Sequence, residues 1–463
     1  MSNPDVPETG SRAAALAAGL RRRIAAGTLG PGSRMPSVRA LARSSEVSPF
    51  TAARVYDVLV AEGLVEARRG SGYFVARSAE SLRSRVPAGP EPPADSIWLL
   101  RREYDPRHVR VDAGCGWLPP DWLFADGVRS ALTRVAQRPN AYSGRYGSPH
   151  GLRPLRRHMV GYLLQRGISC TEDQVVLMEG ASQGLELCIR ILTRPGDAVL
   201  VDDPCYPYLL EMLRSHGVRP VGIPRTDDGP DIEALNAAAL TSRPRVFFTN
   251  TTLQNPTGTT TSPAVAHAVL SSADRYGFNI VEDDISSDLA PVRTPNLASL
   301  DGLRRVLYVG SFSKAIAPNL RVGYVVARDE WVQPLLRAKT IASLSSSELA
   351  EQLVLSILTA GRHRTHLERL RQRLAAAQEK VSKRLTQAGA RLDHRTEGGM
   401  FLWAHLPCPL DSGAILQQAM AKGILLAPGE LFRPDGRSSG HFRFNVGYAD
   451  SELLYGFIEK LLS

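Results

Sequence analysis

The stretch GSFSKAIAPNLRVGY, residues 310–324, places one lysine among groups that could bind an anion. Ser311 and Ser313 lie on either side of Phe312 just before Lys314, and Arg321 follows seven residues after the lysine. Two hydroxyl groups and a guanidinium can hold an anion beside the lysine. A lysine that is desolvated near cationic groups has a lowered pKa and can form a Schiff base. The alternative, which this stretch alone leaves open, is an ordinary solvated lysine.

The scarcity of lysine narrows the choice of a nucleophile. Lysine and arginine total 56 residues, but only six of these are lysines, and Lys314 is the first. Lys339, the next one, lies in LRAKTIAS without paired serines or a later arginine. Arginine can replace lysine as a charge but not as an amine nucleophile. If the chain needs such an amine, Lys314 is therefore the predicted residue.

Other loops that follow strand-like runs carry residues suited to ligand binding. Residues 180–182 open a helix after QVVLM, and free N–H groups at such a helix end suit a phosphate. Tyr206 follows AVLVDD and could lie flat against an aromatic ring, and Asn255 precedes a Pro-Thr-Gly turn. Asp283, in NIVEDD, could keep a pyridine nitrogen protonated if it is buried against it. Taken singly, a tight turn, a core tyrosine and a helix cap or surface acid remain alternatives.

The elements that must position these residues alternate between strand-like and helical runs from about residue 101 onward. The strand-like runs are QVVLM, AVLVDD, RVFFTN, NIVEDD, RVLYVGSF and RVGYVVA. This alternation predicts an α/β fold with a mainly parallel sheet, and ligands in such folds bind at the loops after the strands. A long arginine-rich helix, HRTHLERLRQRLAAAQEKVSKRLTQAG, and a smaller mixed region follow. They predict a smaller C-terminal subdomain.

Residues 11–77 predict a separate compact unit. Apolar residues recur at helical spacing in SRAAALAAGLRRRIAAGTL, and Ser37 is the predicted N-cap of a short second helix. The run VSPFTAARVYDVLVAEGL predicts a third helix with Val55, Leu59 and Val60 on its inner side. VEARRGSGYFVA contains two β-prone runs around Gly-Ser-Gly, which indicates a hairpin. Together these elements predict a winged helix-turn-helix.

Length, charge and cysteine content limit the classes of function. The chain has 463 residues, too many for one ordinary domain. Residues 78–100 are rich in Ser, Pro and Ala and predict a linker, which leaves 101–463 as the large domain.

The net charge of the chain is +10, and residues 1–110 contain 17 Arg against 11 Asp and Glu, which suits a polyanionic partner. Five scattered cysteines without CxxC spacing predict reduced thiols in a cytoplasmic protein and no metal site. The chain has no signal peptide and no apolar run of about 18 residues, so we expect no membrane partner.

The N-terminal unit resembles the DNA-binding domain of GntR-type regulators. The stretches that carry the resemblance are PGSRMPSVRALA and VSPFTAARVYDVLVAEGLVEARRGSGYFV. It implies a double-stranded DNA operator as partner, with phosphate or base contacts from both helices and from the wing. The candidate DNA-binding residues are Ser37, Arg39, Thr51, Arg54, Arg68 and Arg69. Where the family usually has arginine and a polar residue at the start of the recognition helix, this chain has Pro49 and Phe50.

The large domain, from about residue 105, resembles the fold-type I aminotransferases that use pyridoxal 5′-phosphate (PLP). By this resemblance Lys314 forms the internal aldimine, Asp283 pairs with the pyridine nitrogen, and Arg443 in HFRFNVGY binds a substrate carboxylate. The resemblance assigns ring stacking to Tyr206, the phenolic oxygen to Asn255, and the phosphate to Ala181, Ser182, Gln183, Ser311, Ser313, Arg321 and, across a dimer interface, Tyr146. Ser286 stands where the family often has a tyrosine that hydrogen-bonds the phenolic oxygen. One neutral hydrogen bond contributes about 0.5–1.5 kcal/mol, so we expect PLP binding to survive this change.

The order of the two domains resembles the MocR/GabR regulators. That resemblance implies a homodimeric, PLP-binding transcription factor that senses an amino acid or related amine. Two alternatives remain open at this point. The chain could be a working aminotransferase with a vestigial N-terminal domain, or a regulator that has lost PLP and keeps only a dimerisation module. Retention of Lys314, Asp283, Asn255, Arg321 and Arg443 argues against the loss of PLP.

Overall fold

The computed structural model describes residues 9–25, 28–68, 70–76, 96–104, 109–138, 144–394, 396 and 398–463. The chain divides into two compact units, Met1–Pro92 and Pro93–Ser463. Most of the predicted linker lies outside the described residues. Its last residues, 96–100, belong instead to a helix, Ser96–Tyr104. The reason is the apolar content of this end, since Leu99 is 1% exposed and packs in a cluster with Trp403 and Leu425.

The smaller unit is a helical bundle with a two-stranded wing. Its described elements are α1 (Thr9–Ala25), α2 (Val38–Ser44), α3 (Pro49–Ala61), β1 (Val65–Arg68) and β2 (Gly72–Val75). As predicted, Ser37 is the N-cap of α2 and accepts a hydrogen bond from the Ala40 backbone N–H. Val55 and Leu59 lie in the core, but the prediction for Val60 is wrong, because it is 37% exposed. Leu59 already takes the inward position, and the next residue turns about 100° away.

The larger unit is built on an eight-stranded sheet, counted over the described residues. The strands are β3 (Val175–Met178), β4 (Ala198–Asp203), β5 (Arg219–Thr226), β6 (Gly229–Pro230), β7 (Val246–Thr249), β8 (Asn279–Asp283), β9 (Val306–Ser311) and β10 (Gly323–Val326). Their order across the sheet is β3-β10-β9-β8-β7-β4-β5-β6. The five strands β9, β8, β7, β4 and β5 run parallel, while β10 and β6 run antiparallel to their neighbours. The predicted α/β fold with a mainly parallel sheet is confirmed.

Helices pack on both faces of this sheet. The helices of the larger unit that precede the second sheet are α4 (Ser96–Tyr104), α5 (Ala125–Ala136), α6 (Arg153–Leu164), α7 (Ala181–Leu192), α8 (Pro207–Ser215), α9 (Ile232–Ser242), α10 (Pro263–Tyr276), α11 (Leu297–Asp301), α12 (Asp329–Ser343), α13 (Glu348–Thr359) and α14 (Arg362–Gln387). Of these, α4 and α14 pack mainly in the apolar clusters of the C-terminal region. The two apolar clusters on opposite faces of the sheet explain why its strands read as continuous hydrophobic runs.

A second, four-stranded antiparallel sheet forms the predicted C-terminal subdomain. It contains β11 (Arg391–Leu392), β12 (Phe401–His405), β13 (Ala427–Pro428) and β14 (His441–Asn445), in the order β11-β12-β14-β13. The helices α15 (Ser412–Ala421) and α16 (Glu452–Leu462) complete it. Strand β14 lies between two neighbours and carries Arg443, which fixes the position of that side chain.

Within the described ranges, no helix is both long and apolar enough to span a bilayer. The same residues contain no cluster of His, Cys, Asp and Glu suited to a metal ion. All five cysteines are unpaired, and burial raises the pKa of the Cys115 and Cys188 thiols. These thiols are therefore packed in their neutral form.

Candidate functional site

Lys314 lies in the turn that follows β9, with its amine directed at the protein interior. Its Nζ donates a hydrogen bond to the Gly116 carbonyl oxygen at 2.6 Å. Burial and the nearby Arg443 guanidinium lower the pKa of Lys314, while Glu103 and Asp283 oppose this shift. The amine is thus biased towards its neutral, nucleophilic form, which is the state that Schiff-base chemistry needs.

Asp283 ends β8 beside this lysine. It is 7% exposed, and its Oδ1 has no hydrogen-bond partner among the residues that the structure describes. Burial and the neighbouring Asp284 raise the pKa of Asp283 to about 7, against the attraction of Lys314. An isolated buried carboxylate of this kind is unfavourable unless a positive hydrogen-bond donor reaches it. The position of Asp283 therefore suits a protonated ring nitrogen.

Asn255 is held near Asp283 by a side chain that the sequence did not single out. The Asn250 Oδ1 accepts a hydrogen bond from the Asn255 backbone N–H at 2.9 Å, and its amide group donates to the Asp283 carbonyl oxygen. The Asn250 backbone N–H in turn donates to Asp202 Oδ2 at 3.0 Å. Because Asp202 is fully buried with Arg225 at 3.1 Å, this chain of bonds ties three strand ends together.

The turn from β3 into α7 forms a close backbone cradle. Gly180, with φ of +83°, precedes the first helical turn, Ala181 to Gln183. A Cβ at Gly180 would lie 2.4 Å from Arg321 Nη2, and one at Gly323 would lie 2.7 Å from the Gly180 carbonyl carbon. Arg321 is pinned there, because its Nη2 donates to the Glu179 carbonyl oxygen at 3.0 Å. The N–H groups of the helix start and a guanidinium thus converge, which suits a phosphate.

The other side chains predicted to bind the phosphate or the ring differ in how many of their hydrogen-bonding groups are already used within the protein. The Ser313 Oγ is buried and has no hydrogen-bond partner within the described part of the chain, while Ser311 Oγ accepts from the Ser313 backbone N–H. Ser182 hydrogen-bonds Tyr206, whose pKa is raised by burial. The Gln183 side chain is already used, because it accepts from the Glu179 N–H and donates to Ser343. Only the Gln183 backbone N–H is therefore available to a ligand.

Arg443 lies buried at the end of the site opposite the cradle. Its Nη1 donates to Asn255 Oδ1 at 3.0 Å and its Nη2 to the Gly114 carbonyl oxygen at 2.6 Å. Its guanidinium stacks over Phe401 and Phe432, 4.5 and 4.9 Å from their ring centres. These aromatic contacts and two hydrogen bonds hold the guanidinium in place, and a guanidinium is suited to planar, bidentate recognition of a carboxylate.

A carboxylate that sequence reasoning missed faces Arg443. Glu103 Oε1, from helix α4, lies 3.6 Å from Arg443 Nη2, and both side chains are buried. Burial and Asp112 raise the pKa of Glu103 to about 7, although Arg443 and Lys314 oppose this. Burial also raises the pKa of Asp112 to about 6. No local pattern signals Glu103, because its partner lies 340 residues away in the sequence.

Tyr146 and Ser286, two positions discussed from the sequence, differ in burial. Tyr146 is 85% exposed in the single chain. Ser286 is buried and precedes the short 3₁₀ helix Ser287–Leu289. Nearby, the Tyr308 hydroxyl on β9 donates a hydrogen bond to Asp284 Oδ2 at 2.7 Å.

The candidate DNA-binding residues lie on the surface of the smaller unit. Arg39 and Arg54 are exposed on α2 and α3, and Phe50 is 79% exposed at the start of α3. Arg68 is partly engaged, 3.5 Å from Glu66 and stacked over Phe74. Ser37 and Thr51 serve the helix starts, since Thr51 N–H and Oγ1 both hydrogen-bond Ser48 Oγ. Arg69 lies outside the described residues.

Comparison with known proteins gives the same two-part division. Residues 128–461 match the family model "Aminotransferase class I and II", and residues 12–75 match "Bacterial regulatory proteins, gntR family". The uncharacterized HTH-type transcriptional regulator YdcR of Escherichia coli is 30% identical over 448 residues, covering 94% of each chain. The HTH-type transcriptional regulator TauR of Rhodobacter capsulatus is 29% identical, covering 92% of this chain and 90% of TauR. The crystal structure of Pyrococcus horikoshii kynurenine aminotransferase matches with a TM-score of 0.73 and 25% identity, covering 83% of this chain and 95% of that one.

Proposed function

The chain belongs to the MocR-type family, in which a GntR-type domain precedes a class I and II aminotransferase domain, and we propose that it is a transcriptional regulator that binds PLP and senses an amino acid or a related amine. The observation that carries the proposal is the presence in one chain of two complete constellations. One is the winged helix-turn-helix unit, here called the reader, with an exposed arginine on each of the helices α2 and α3. The other is a buried amine, carboxylate and guanidinium assembled at the strand ends.

The residues of the large unit fit PLP in three respects. The Asp283 Oδ1 lacks a donor in the described structure, and a protonated pyridine nitrogen would supply one. The Ser313 Oγ and the start of α7 offer unused donors to a phosphate, with Arg321 beside them. The glycines at 180 and 323 keep that cradle open, because a Cβ at either would collide with it.

Bound PLP supplies an aldehyde that reacts with primary amines and a ring that withdraws electrons. The residues of this chain set the conditions for that chemistry. Burial and Arg443 lower the pKa of Lys314, which favours the neutral form of its amine. Asp283 would hold a proton at the ring nitrogen, Asn255 would bind the phenolic oxygen, and Tyr206 would lie against the ring. Arg443 binds the carboxylate of the ligand, which favours an amino acid over a simple amine.

Sensing follows if the ligand amine replaces the Lys314 amine at the cofactor. Lys314 is then released into a site that also contains Glu103 and Arg443, and the charge balance among these buried groups changes. A conformational change requires such a difference in interaction free energy between the two states. The regulator acts on double-stranded DNA in the cytoplasm and transmits this change through residues 78–100.

A homodimer is part of the proposal. Tyr146, assigned to the phosphate of a partner's site, is 85% exposed, and the apolar Leu344 and Leu349 are about half exposed. These stretches are neighbours, because a Cβ at Gly147 would lie 3.5 Å from Glu348 Cβ. An exposed apolar patch of this kind is typical of an interaction surface. Sedimentation analysis should therefore give twice the chain mass of 50.4 kDa.

A visible spectrum of the purified protein tests the cofactor. We expect an absorption band near about 420 nm that Lys314→Ala abolishes and that a titrated amino acid shifts. Lys339→Ala is the matched control for loss of a lysine, although it removes a buried donor to Pro149, Leu177 and Ser346 and will reduce stability. Selection of binding sequences from a random duplex pool tests the reader. A protein without the band contradicts the sensor, and one without a selected sequence contradicts the regulator.

Amino-group transfer is the second candidate function. Retention of Lys314, Asp283 and Arg443 in one site favours it, because these are the groups that such a reaction needs. Formation of a keto acid from an amino acid and an α-keto acid, followed directly, distinguishes the two. Turnover that Lys314→Ala abolishes would support an enzyme, and a spectral shift without turnover would support a sensor.

A further inference from the structure

The guanidinium proposed to bind the ligand carboxylate is already paired with a carboxylate of the chain itself. Glu103 Oε1 lies 3.6 Å from Arg443 Nη2, and the two side chains are 2% and 3% exposed. This distance allows an ion pair but not a hydrogen bond. Accordingly, Glu103 Oε1 and Arg443 Nε both lack a hydrogen-bond partner within the described residues. The pair is therefore buried but incompletely satisfied.

The position of Glu103 is set by helix α4 and by Gly116. Leu99, one turn before Glu103, is buried in a cluster with Trp403, Leu425 and Phe432 and anchors the helix. A Cβ at Gly116 would lie 3.7 Å from Arg443 Nη2 and 3.8 Å from Glu103 Oε2. The Gly116 carbonyl oxygen also accepts the hydrogen bond from Lys314. Gly116 is thus in close contact with Lys314, Glu103 and Arg443, so these three side chains belong to one site.

A ligand carboxylate would bind Arg443 better than Glu103 does. Two buried charges lose their hydration, and only close, hydrogen-bonded geometry compensates for that loss. A free carboxylate can approach the guanidinium in its plane and accept two hydrogen bonds, whereas Glu103 accepts none from it. The raised pKa of Glu103 is consistent with this, since proton uptake would release it from Arg443.

We propose that Glu103 is an internal carboxylate that occupies Arg443 until the carboxylate of an amino acid ligand displaces it. Glu103 is a specificity-determining residue in this arrangement. Pairing of Glu103 with Arg443 lowers the affinity of the site for every carboxylate ligand by the free energy of that pairing. A carboxylate that binds Arg443 less favourably than Glu103 does is excluded. The inference rests on the proposed PLP-dependent sensing. It adds the class of ligand and a reason why a minimum ligand concentration is needed for a response. The opposite arrangement, in which Glu103 stays in place and binds a ligand that has no carboxylate, gives a different result in the same experiment.

Titration of the full-length protein with matched ligand pairs tests the proposal. The probes are L-alanine with ethylamine and L-phenylalanine with 2-phenylethylamine, because each pair differs only in the carboxylate. The readout is the concentration that gives half of the change in the visible band. For Glu103→Gln we expect this concentration to fall about tenfold for the amino acids and to change little for the amines. Glu379→Gln makes the same change at an exposed position of α14 and should alter neither.

Three results would overturn the proposal. They are an equal change for both ligand classes, a loss of response to the amines in Glu103→Gln, and no gain with any amino acid. The second of these would support the arrangement in which Glu103 binds the ligand ammonium. If Glu103→Gln does not unfold cooperatively, Glu103→Asp replaces it, and withdrawal of the carboxylate by one methylene should act in the same direction. A protein that lacks the visible band altogether contradicts the proposed function itself, whereas a normal band with unchanged discrimination contradicts only the role of Glu103.

Discussion

At the residue scale, the site contains buried polar groups whose placement favours ligand binding over stability. Asp283 is the clearest case. In the protein without cofactor, its carboxylate is buried, lacks a partner for Oδ1 in the described structure, and has a pKa raised to about 7. Asp283→Asn removes the charge and keeps the shape. We therefore expect the variant to be more stable than the unchanged protein by about 1–3 kcal/mol at pH 8, while its affinity for PLP falls about 10–100-fold.

The dependence of this gain on pH follows from the sign of the pKa shift. Because the folded-state pKa is raised, the folded protein holds an extra proton between about pH 4 and pH 7, and stability is lost as the pH rises through that window. The advantage of Asp283→Asn should thus be small at pH 5 and largest at pH 8. Urea unfolding of PLP-free protein at both pH values measures it. Asp228→Asn, at an exposed position, is the control, and an advantage that does not grow with pH would contradict the argument.

The salt dependence of DNA affinity can distinguish an arginine that contacts phosphate from one that contacts bases. Arg39 and Arg54 are both exposed, but Arg54 lies on α3, the helix that reads base edges in the major groove in helix-turn-helix domains. Arg39→Ala should weaken all sequences alike and reduce the slope of log affinity against log salt by about 0.9, the loss of one phosphate contact. Arg54→Ala should instead change the selected sequence. Fluorescence anisotropy with selected and scrambled duplexes measures both, and identical effects of the two variants would refute the distinction.

The site residues that could be predicted from the sequence are those whose neighbours in the chain indicate their role. Lys314, Asp283 and Asn255 each follow a strand-like run, so their convergence follows from the parallel sheet. Glu103 and Asn250 were missed, because what they do depends on partners in other elements. Glu103 in LLRREY reads as an ordinary surface acid, and only burial against Arg443 changes its meaning.

At the scale of elements, the close approach of β10 to the start of α7 determines whether the cradle exists. A Cβ at Gly323 would lie 2.7 Å from the Gly180 carbonyl carbon and 2.8 Å from the Ala181 nitrogen, and both are backbone atoms that cannot turn away. Gly323→Ala must therefore push the helix start from the strand and should lower PLP affinity at least about tenfold, with a further loss of stability of about 1–3 kcal/mol. Gly161→Ala is the matched control, since nothing lies within 4 Å of its Cβ position and it is inside α6. It should stabilise the protein by about 0.5–1 kcal/mol, and equal PLP affinity in the two variants would contradict the cradle.

The elements that the sequence did not predict share a physical reason. Strand β5, Arg219–Thr226, contains Pro220 and Pro224, and proline removes a ladder donor and argues against a central strand. It is accommodated near the edge of the sheet, where only the two-residue β6 lies beyond it. The first five residues of helix α4 were assigned to the linker because they end a stretch rich in Ser, Pro and Ala. Its helical state depends on tertiary burial of Leu99 rather than on a repeating pattern.

At the scale of the whole molecule, the chain joins a reader and a sensor that the sequence keeps apart by residues 78–100. Helix α4 contains the last five residues of that stretch, and its last turn carries Glu103. A ligand that displaces Glu103 from Arg443 therefore acts on the element that continues directly into the linker. We expect hydrogen exchange in Ser96–Tyr104 to become faster when an amino acid binds, and to be unaffected by the matching amine. Equal protection from hydrogen exchange with both ligands would show that α4 does not take part in transmitting the effect of the ligand.

Coupling between the two units makes a final prediction that does not depend on the direction of regulation. If an amino acid changes the affinity for the selected duplex by some factor, saturating duplex must change the affinity for that amino acid by the same factor. Coupling free energies are typically about 1–3 kcal/mol, so we expect factors of about 5–150. Anisotropy measures the first factor and the visible band the second, and unequal factors would contradict a single linked equilibrium. Lys314→Ala should abolish both effects while leaving DNA affinity without ligand intact, because Lys314 belongs to the larger unit and the candidate DNA-binding residues belong to the smaller one.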